Sequence, residues 1–332
     1  MRILVTGGAG FIGGHVVEYL VGRGHDVGVF DKFTYAGKAK NLAAVLDRVD
    51  LLIGNLATGD RAKVAAEWGP EAVVHMAGDT HVDHAIRDPF RFQYNNVLGT
   101  CALLEALRQM SRPPSRVLVY STDEVFGPTP GGVAFDESAA FRPSNAYSAS
   151  KMGVEGLATS FYVTHGLPTV IVRPCNTYGP RQHPEKVIPK FVRQMINKQP
   201  VTLYNDGQGA RDWLHVHDHA RAVEVLLERG EPGTSYNLAA GDEHTDSEIA
   251  HGIERILRAG GYLDGIVNIV NVPGRPGHDR RYFMDGSRLR ALGWVPIVQF
   301  DDGFFETVDW SARNTDYWNT DVVRMQMATV TG

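Results

Sequence analysis

The sequence predicts an α/β fold, a doubly wound parallel sheet followed by a smaller, mixed C-terminal domain. Three observations carry this. Short apolar runs alternate with helical patterns through the first half of the chain. A glycine-rich turn, Gly7-Gly8-Ala9-Gly10-Phe11-Ile12-Gly13, joins the first run to the first helix. From about Pro180 the pattern becomes irregular, with turn clusters at Asn205-Asp206-Gly207-Gln208-Gly209 and Pro273-Gly274-Arg275-Pro276-Gly277.

Taken in order, Arg2–Thr6 reads as a buried strand, and a helix runs through Val16, Val17, Leu20 and Val21 until Gly24 closes it. The next strand is Asp26–Phe30. Further strands are expected at Val49–Ile53, Ala72–His75, Arg116–Tyr120 and Thr169–Val172. Helices are expected near Ala36–Leu46, Arg61–Glu67, Arg91–Arg108 and Ala146–His165. The segment Pro128–Ser144 is rich in Pro, Gly and Ser and reads as a mobile loop, and the tail after Trp318 reads as only partly packed. No internal repeat or low-complexity tract is present.

The glycine turn implies a ligand. Gly7, Gly10 and Gly13 permit a tight turn, close approach of backbone to a pyrophosphate, and close packing of helix on strand. The phosphates would lie at the helix N-terminus, where free N–H groups and the macrodipole favour negative charge. Asp31 ends the second strand, where a carboxylate can accept from both ribose hydroxyls of an adenosine. The same charge repels a 2′-phosphate, which favours NAD over NADP, although Lys32 beside it weakens the repulsion. The first half therefore reads as a Rossmann-type dinucleotide domain.

Composition sets limits. The 332 residues are enough for one large or two unequal domains. A net charge of −5 and a pI near 6.2 leave no basic footprint for nucleic acid. Cys101 and Cys175 are the only cysteines and lack metal-type spacing, so they read as two buried small side chains in a reducing compartment. No apolar run reaches membrane-spanning length, and the N-terminus reads as a strand of the fold, not a signal peptide. The expected location is cytoplasmic.

Two short segments carry chemistry. Thr122-Asp123-Glu124 follows the apolar run Val117-Leu118-Val119-Tyr120, placing two carboxyl groups and a hydroxyl where a buried strand meets a loop. Tyr147-Ser148-Ala149-Ser150-Lys151 puts a phenol and an ammonium at i and i+4, on one face of a helix. A Tyr/Lys pair can take a proton from a sugar alcohol, and an acid/base pair can eliminate water. With a nicotinamide between them, they describe a dehydratase that oxidises its substrate temporarily.

On these residues the chain resembles the extended short-chain dehydrogenase/reductase superfamily, and within it the dTDP-glucose 4,6-dehydratases. The resemblance runs from Thr6-Gly7-Gly8-Ala9-Gly10-Phe11-Ile12-Gly13 to Gly293-Trp294, through Thr34-Tyr35-Ala36-Gly37, His81-Val82-Asp83, Ser121-Thr122-Asp123-Glu124-Val125 and Tyr178-Gly179-Pro180. It also covers Pro184-Glu185-Lys186-Val187-Ile188-Pro189, Arg211-Asp212-Trp213-Leu214 and Arg275-Pro276-Gly277-His278-Asp279. The glycines and Tyr-x-x-x-Lys mark only the superfamily. Thr-Asp-Glu is narrower, because many epimerases and decarboxylases carry other residues there.

The resemblance implies roles. Tyr147, drawn toward phenolate by Lys151 and the nicotinamide charge, would take the C4 hydroxyl proton as hydride passes to NAD+, with Thr122 hydrogen-bonded to the same hydroxyl. Glu124 would then remove the C5 proton, Asp123 would protonate the departing C6 hydroxyl, and hydride would return to C6. The cofactor would lie among Gly7, Gly10, Phe11, Ile12, Gly13, Asp31, Lys32, Thr34, Asn55, Leu56, Ala77, Gly78, Thr80, Asn95, Tyr147, Lys151 and Thr177. The nucleotide sugar would meet His81, Thr122, Asn176, Glu185, Lys186, Val187, Tyr204, Arg211, Arg275 and His278. Arg211 and Arg275 suit a diphosphate, and Tyr204 suits a pyrimidine.

The chain departs from the family at Ala77-Gly78-Asp79-Thr80, at Asn55, at Phe126 and at Asn176-Thr177-Tyr178-Gly179. The changes near Gly78 and Thr177 bear on the sugar and leave the reaction type standing. His215-Val216-His217-Asp218-His219 resembles a metal segment, but no fourth ligand is evident and Asp218 is expected to N-cap a helix from about Ala220, so no metal is expected. The organisation expected is a dinucleotide domain over 1–179, joined by about 212–239. A substrate domain over 180–211 and 240–320 and a tail over 321–332 complete it. The resemblance further implies a homodimer through a four-helix bundle. Alternatives are an epimerase or decarboxylase of the same fold, or a non-catalytic dinucleotide sensor.

Overall fold

The computed structural model describes residues 1–274 and 280–317. Seven parallel strands form the main sheet: β1 (Arg2–Thr6), β2 (Asp26–Asp31), β3 (Val49–Ile53), β4 (Ala72–His75), β5 (Arg116–Tyr120), β6 (Thr169–Pro174) and β10 (Ser235–Leu238). Their order is β10-β6-β5-β4-β1-β2-β3. Both faces are covered, so side chains on each strand alternate between two cores rather than between core and water. Ile3 and Val5 of β1 enter one core, while Leu4 enters the other; Leu118 and Val117 of β5 divide the same way.

The first core is closed by α1 (Phe11–Gly22) and α8 (Val216–Arg229). The second is closed by α2 (Asp60–Glu67), α5 (Gly99–Arg108) and α6 (Ala146–His165). Strand order reverses on either side of β1, which opens a crevice beyond the C-terminal ends of β1 and β4.

The second half is regular where the sequence reads as irregular. Strands β7 (Asn176–Tyr178), β9 (Ala210–His215), β11 (Glu243–Thr245) and β13 (Arg281–Tyr282) form a small mixed sheet centred on β9. Strand β8 (Val201–Tyr204) pairs in parallel with β12 (Ile269–Val272). Helices α7 (Val187–Ile196), α9 (Asp246–Ala259) and α11 (Phe300–Arg313) enclose a third core around Tyr178, Phe191, Trp213 and Phe304. These strands are too short and too far apart in sequence for periodicity to reveal them.

Several expectations need correction. Residues 36–46 form no α-helix, only one-turn helices at Ala39–Leu42 and Leu46–Arg48. Their polar groups serve tertiary contacts instead: Lys38 N–H and Asn41 Nδ2 both donate to the Ala9 carbonyl, and Arg181 donates to the Asn41 carbonyl. The helix expected at Arg91 starts at Pro89, because Asp88 caps it by accepting from Arg91 N–H. It runs through α4 (Pro89–Phe92) and a widened π turn at Gln93–Leu98 before α5. Short helices α3 (Val82–Arg87) and α10 (Ser287–Ala291) complete the set.

Asp218 does not cap α8, which begins four residues' worth of chain earlier than expected, at Val216 with His215 as its cap. The Asp218 carboxylate instead accepts from the N–H groups of Ile297 and Val298. Within Pro128–Ser144, Thr129 and Phe135 bond through their backbones to Arg281, Phe283 and Asp285. Of the two cysteines only Cys175 is buried; Cys101 is half-exposed. The expected tail over 321–332 lies outside the described residues.

Candidate active site

The strands deliver the reactive groups to one place. Thr122 follows β5 and caps a single 3₁₀ turn, Asp123–Phe126, by accepting from Glu124 N–H at 3.3 Å. That turn sends the two carboxyl groups into different surroundings: Asp123 is buried and Glu124 half-buried. Thr122 Oγ1 donates to Asp123 Oδ1 at 3.0 Å, while Asn145 Nδ2 donates to Glu124 Oε2 at 3.1 Å. Asn145 also N-caps α6 through a reciprocal bond with Ser148, so one residue orients Glu124 and starts the helix that carries Tyr147 and Lys151. Sequence reasoning missed it, although an Asn just before Tyr147 is a legible cap.

Helix α6 places Tyr147 and Lys151 one turn apart, both buried. The Tyr147 ring meets Phe92 edge-on at 6.3 Å, and its hydroxyl is hydrogen-bonded to Thr122. Lys151 Nζ donates to the Tyr120 carbonyl at 2.8 Å. One turn further, Glu155 pairs with Arg173 of β6 through two bonds of 2.9 and 2.6 Å, out of solvent.

Burial governs the electrostatics. Desolvation, reinforced by the Glu124 charge, pushes the Asp123 carboxyl up to about 7, so it holds its proton near neutrality. Desolvation lowers Lys151 to about 8, against the Glu155 carboxylate, which raises it. Burial, Glu124 and Asp123 raise the Tyr147 phenol well above its ordinary value despite the Thr122 bond. The Lys151 ammonium meanwhile is engaged with the Tyr120 carbonyl.

Thr122, Asp123, Glu124, Asn145, Tyr147 and Lys151 line one cleft of about 500 Å³. Every sequence-predicted site residue within the described chain lines it too, from Gly7 and Asp31 at one end to Tyr204 and Arg211 at the other. Arg275 and His278 lie outside the described residues. Residues that the sequence did not single out also line it, among them Asn145, Cys175, Gln182, Phe191, Asp246 and Tyr282.

The dinucleotide end fits its group. Gly7 has φ +72°, and a Cβ there would meet Ala77 N at 2.8 Å, so only glycine lets β1 turn this close to the end of β4. No side chain caps α1, which leaves its first N–H groups for an anion. Asp31 accepts from Ala9 N–H at 3.0 Å and Phe33 N–H at 2.8 Å, and its remaining lone pairs stay available to hydroxyls. Asn55 uses its side-chain oxygen to cap the next turn at Ala57.

Nearby, Asn96 from the π turn accepts from Asp79 N–H and donates to the Asp79 carbonyl and to Ser150. The Asp79 carboxylate, in turn, is held by Arg91 and Asn95. On the opposite wall, Lys186 Nζ reaches Thr80 Oγ1 at 3.5 Å, and the Arg211 guanidinium lies 4.5 Å over the Tyr282 ring.

Residues 3–239 match the NAD dependent epimerase/dehydratase family. The chain belongs to this family. A dTDP-glucose 4,6-dehydratase of Streptomyces niveus is 40% identical over 327 residues, covering 96% of this chain and 95% of that protein. Among solved structures, a dTDP-glucose 4,6-dehydratase from Streptomyces venezuelae with NAD bound has a TM-score of 0.88 at 38% identity, covering 96% of this chain and 99% of that one. A UDP-glucose 4-epimerase from Thermus thermophilus in complex with NAD follows at TM-score 0.86 and 34% identity, covering 95% and 99%. The fold is thus shared by a dehydratase and an epimerase, so the backbone alone does not separate the two activities.

Two histidines of the 215–219 segment, His215 and His219, serve separate structural contacts. His215 caps α8, and His219 is buried between Thr177 Oγ1 at 2.9 Å and the Tyr120 hydroxyl at 3.1 Å.

Proposed function

We propose that the protein is an NAD-dependent nucleotide-sugar 4,6-dehydratase, converting an NDP-hexose, dTDP-glucose first among them, to the 4-keto-6-deoxy sugar and water. One observation carries the reading: Asp123 and Glu124, adjacent in sequence, occupy environments that leave one protonated and hold the other in place beside Tyr147. An epimerase needs no second acid/base pair at this point, and a dinucleotide sensor needs none of the four groups.

In this reading Tyr147 and Thr122 bind the C4 hydroxyl, and Tyr147 accepts its proton. Bound NAD+ supplies a reversible hydride acceptor and the positive charge that draws the phenol down. Lys151, anchored on the Tyr120 carbonyl, would be among the residues that hold the cofactor. Once C4 is a ketone, the C5 proton becomes acidic, and Glu124, fixed by Asn145, is the base that takes it. Asp123 gives its proton to the C6 oxygen as that oxygen leaves. Arg211 and Lys186 face the diphosphate, and His81, Asn176, Glu185, Val187 and Tyr204 the rest of the nucleotide sugar.

We read 1–179 with about 212–239 as the cofactor-holding unit, and 180–211 with 240–320 as the substrate-holding unit. We also read the protein as a cytoplasmic homodimer built on a four-helix bundle. Phe90, Tyr94 and Leu98 before α5, and Met152 and Val163 on α6, are exposed apolar side chains that such a bundle would cover. Among the described residues no helix is long and apolar enough to cross a membrane. The deciding experiment incubates the purified protein with a panel of nucleotide sugars and scores loss of water by mass spectrometry. Turnover is expected without added reductant, since hydride leaves C4 and returns to C6. A stoichiometric need for fresh NAD+ would instead mark a simple dehydrogenase. Light scattering reports the dimer, and Leu98→Asp should dissociate it.

A further inference from the structure

Two neighbouring histidines and a glutamate remote from them in sequence meet beside the cleft, which His81 and Glu185 line. His81 caps α3 and His84 lies within its first turn, so the i, i+3 spacing sets both imidazoles on one side, with ring centroids 4.5 Å apart. Glu185 arrives from the segment before α7, its Oε2 3.8 Å from His81 Nε2. One donor atom from each of the three residues lies within 4.8 Å of the others, and all three are half-buried. The Tyr35 hydroxyl donates to Glu185 Oε1 at 3.3 Å, which leaves Oε2 as the oxygen turned toward the histidines. A hydrogen bond of this kind from an outer residue is what fixes a ligating carboxylate.

We propose that His81, His84 and Glu185 form a site for a zinc-type divalent cation whose occupancy competes with the nucleotide sugar. Two imidazoles and one carboxylate are a donor set suited to zinc, and three protein ligands leave a fourth position for water. Tetrahedral bonds of about 2.0–2.1 Å would set the donor atoms about 3.4 Å apart, a contraction that half-buried side chains can make. His183 is not counted among the ligands, because its Nδ1 accepts from Glu185 N–H at 3.3 Å. The sequence predicts no metal because the only histidine cluster it displays is at 215–219; the fold assembles this one from separate segments.

The competition rests on the dehydratase reading, which gives His81 and Glu185 to the substrate; the binding of the ion does not. The test takes the full chain, stripped by chelator, and titrates it calorimetrically with zinc chloride alone. One ion per chain is expected, with affinity reduced in His84→Asn by more than the roughly 10–100-fold that loss of an outer orienting partner costs, and unchanged in His217→Asn. Equal binding by wild type and His84→Asn, or no saturable binding, would overturn the site. In the nucleotide-sugar assay, zinc should raise KM without lowering kcat, and His84→Asn should resist it. Zinc-insensitive KM in a zinc-binding wild type would overturn the competition. Lack of any dehydration with the zinc titration intact would support the site while removing the dehydratase.

Discussion

The wall of the cleft formed by the ends of β1, β4 and β5 holds its groups through backbone and burial, whereas the wall formed by residues 183–213 sets long charged side chains, Glu185, Lys186, Lys190 and Arg211, among apolar and aromatic ones. On the first, Asp31 is tied by two N–H groups, and Asp123, Tyr147 and Lys151 are nearly out of solvent. On the second, Lys186 spans the cleft to Thr80, and Arg211 donates to the Ala210 and Arg280 carbonyls while resting on Tyr282. The rigid wall can shift proton affinities, because it removes water. The adaptable wall offers long charged side chains to a ligand, and through Arg211 it only tempers the rise that burial imposes on Asp123.

Substitutions on the rigid wall should therefore cost the most. Tyr147→Phe is expected to suppress both NADH formation and product. Asp123→Asn keeps the shape but loses the acid, so elimination should slow about 10²–10⁴-fold while oxidation survives. A 4-keto, NADH-bound species should accumulate, detectable by absorbance. Glu124→Gln should abolish exchange of the C5 hydrogen with heavy water, which Asp123→Asn should retain. If both carboxamides stop NADH formation as fully as Tyr147→Phe, the acids only position substrate.

On the adaptable wall the expectation is smaller and of another kind. Arg211→Ala should raise KM about 10–100-fold, the worth of a charge-assisted hydrogen bond, with kcat nearly unchanged. A matching fall in kcat would erase the distinction between the walls.

The pH profile sharpens it further. Because Asp123 must be protonated and titrates at about 7, elimination should decline above that pH, about tenfold per unit. The limb should be missing from the residual rate of Asp123→Asn.

The smallest effect is on stability. Asp123 has a folded pKa above its unfolded value, so the native state binds the extra proton and stability falls as pH rises from about 4 through 7. Asp123→Asn removes that liability. Its gain in Tm over wild type should be roughly 5 °C larger at pH 8 than at pH 5, read by calorimetry. A pH-independent difference would mean that the acid is not buried in solution.

The difference between the walls also explains what the sequence reveals. Strands of the main sheet are continuous apolar runs bounded by glycine or polar residues, and all six predicted ones are present with at most two residues' change at their ends. The seventh, Ser235–Leu238, is masked by Tyr and Asn, the latter bonding Phe135 and Asp285 from its side chain. Residues 36–46 carry a helical composition, but their order comes from contacts with Ala9 and Arg181 that no local pattern encodes. The reactive set was legible because Thr122 to Glu124 and Tyr147 to Lys151 are each local in sequence. The Asn145 bond to Glu124, the Asn96 bridge and the Tyr35 bond to Glu185 join distant segments and emerge only from the fold.

That bridge bears on any attempt to rebuild the enzyme. Asn96 fastens the Gly78-Asp79 turn to Ser150 in α6, and a Cβ on Gly78 would press its oxygen at 2.9 Å. Turn, π segment and catalytic helix are thereby one transplantable cassette. A chimera that imports the 146–151 segment from a relative with alanine at position 78, without the matching 77–80 and 93–98 segments, would inherit a seam through the middle of its own active site.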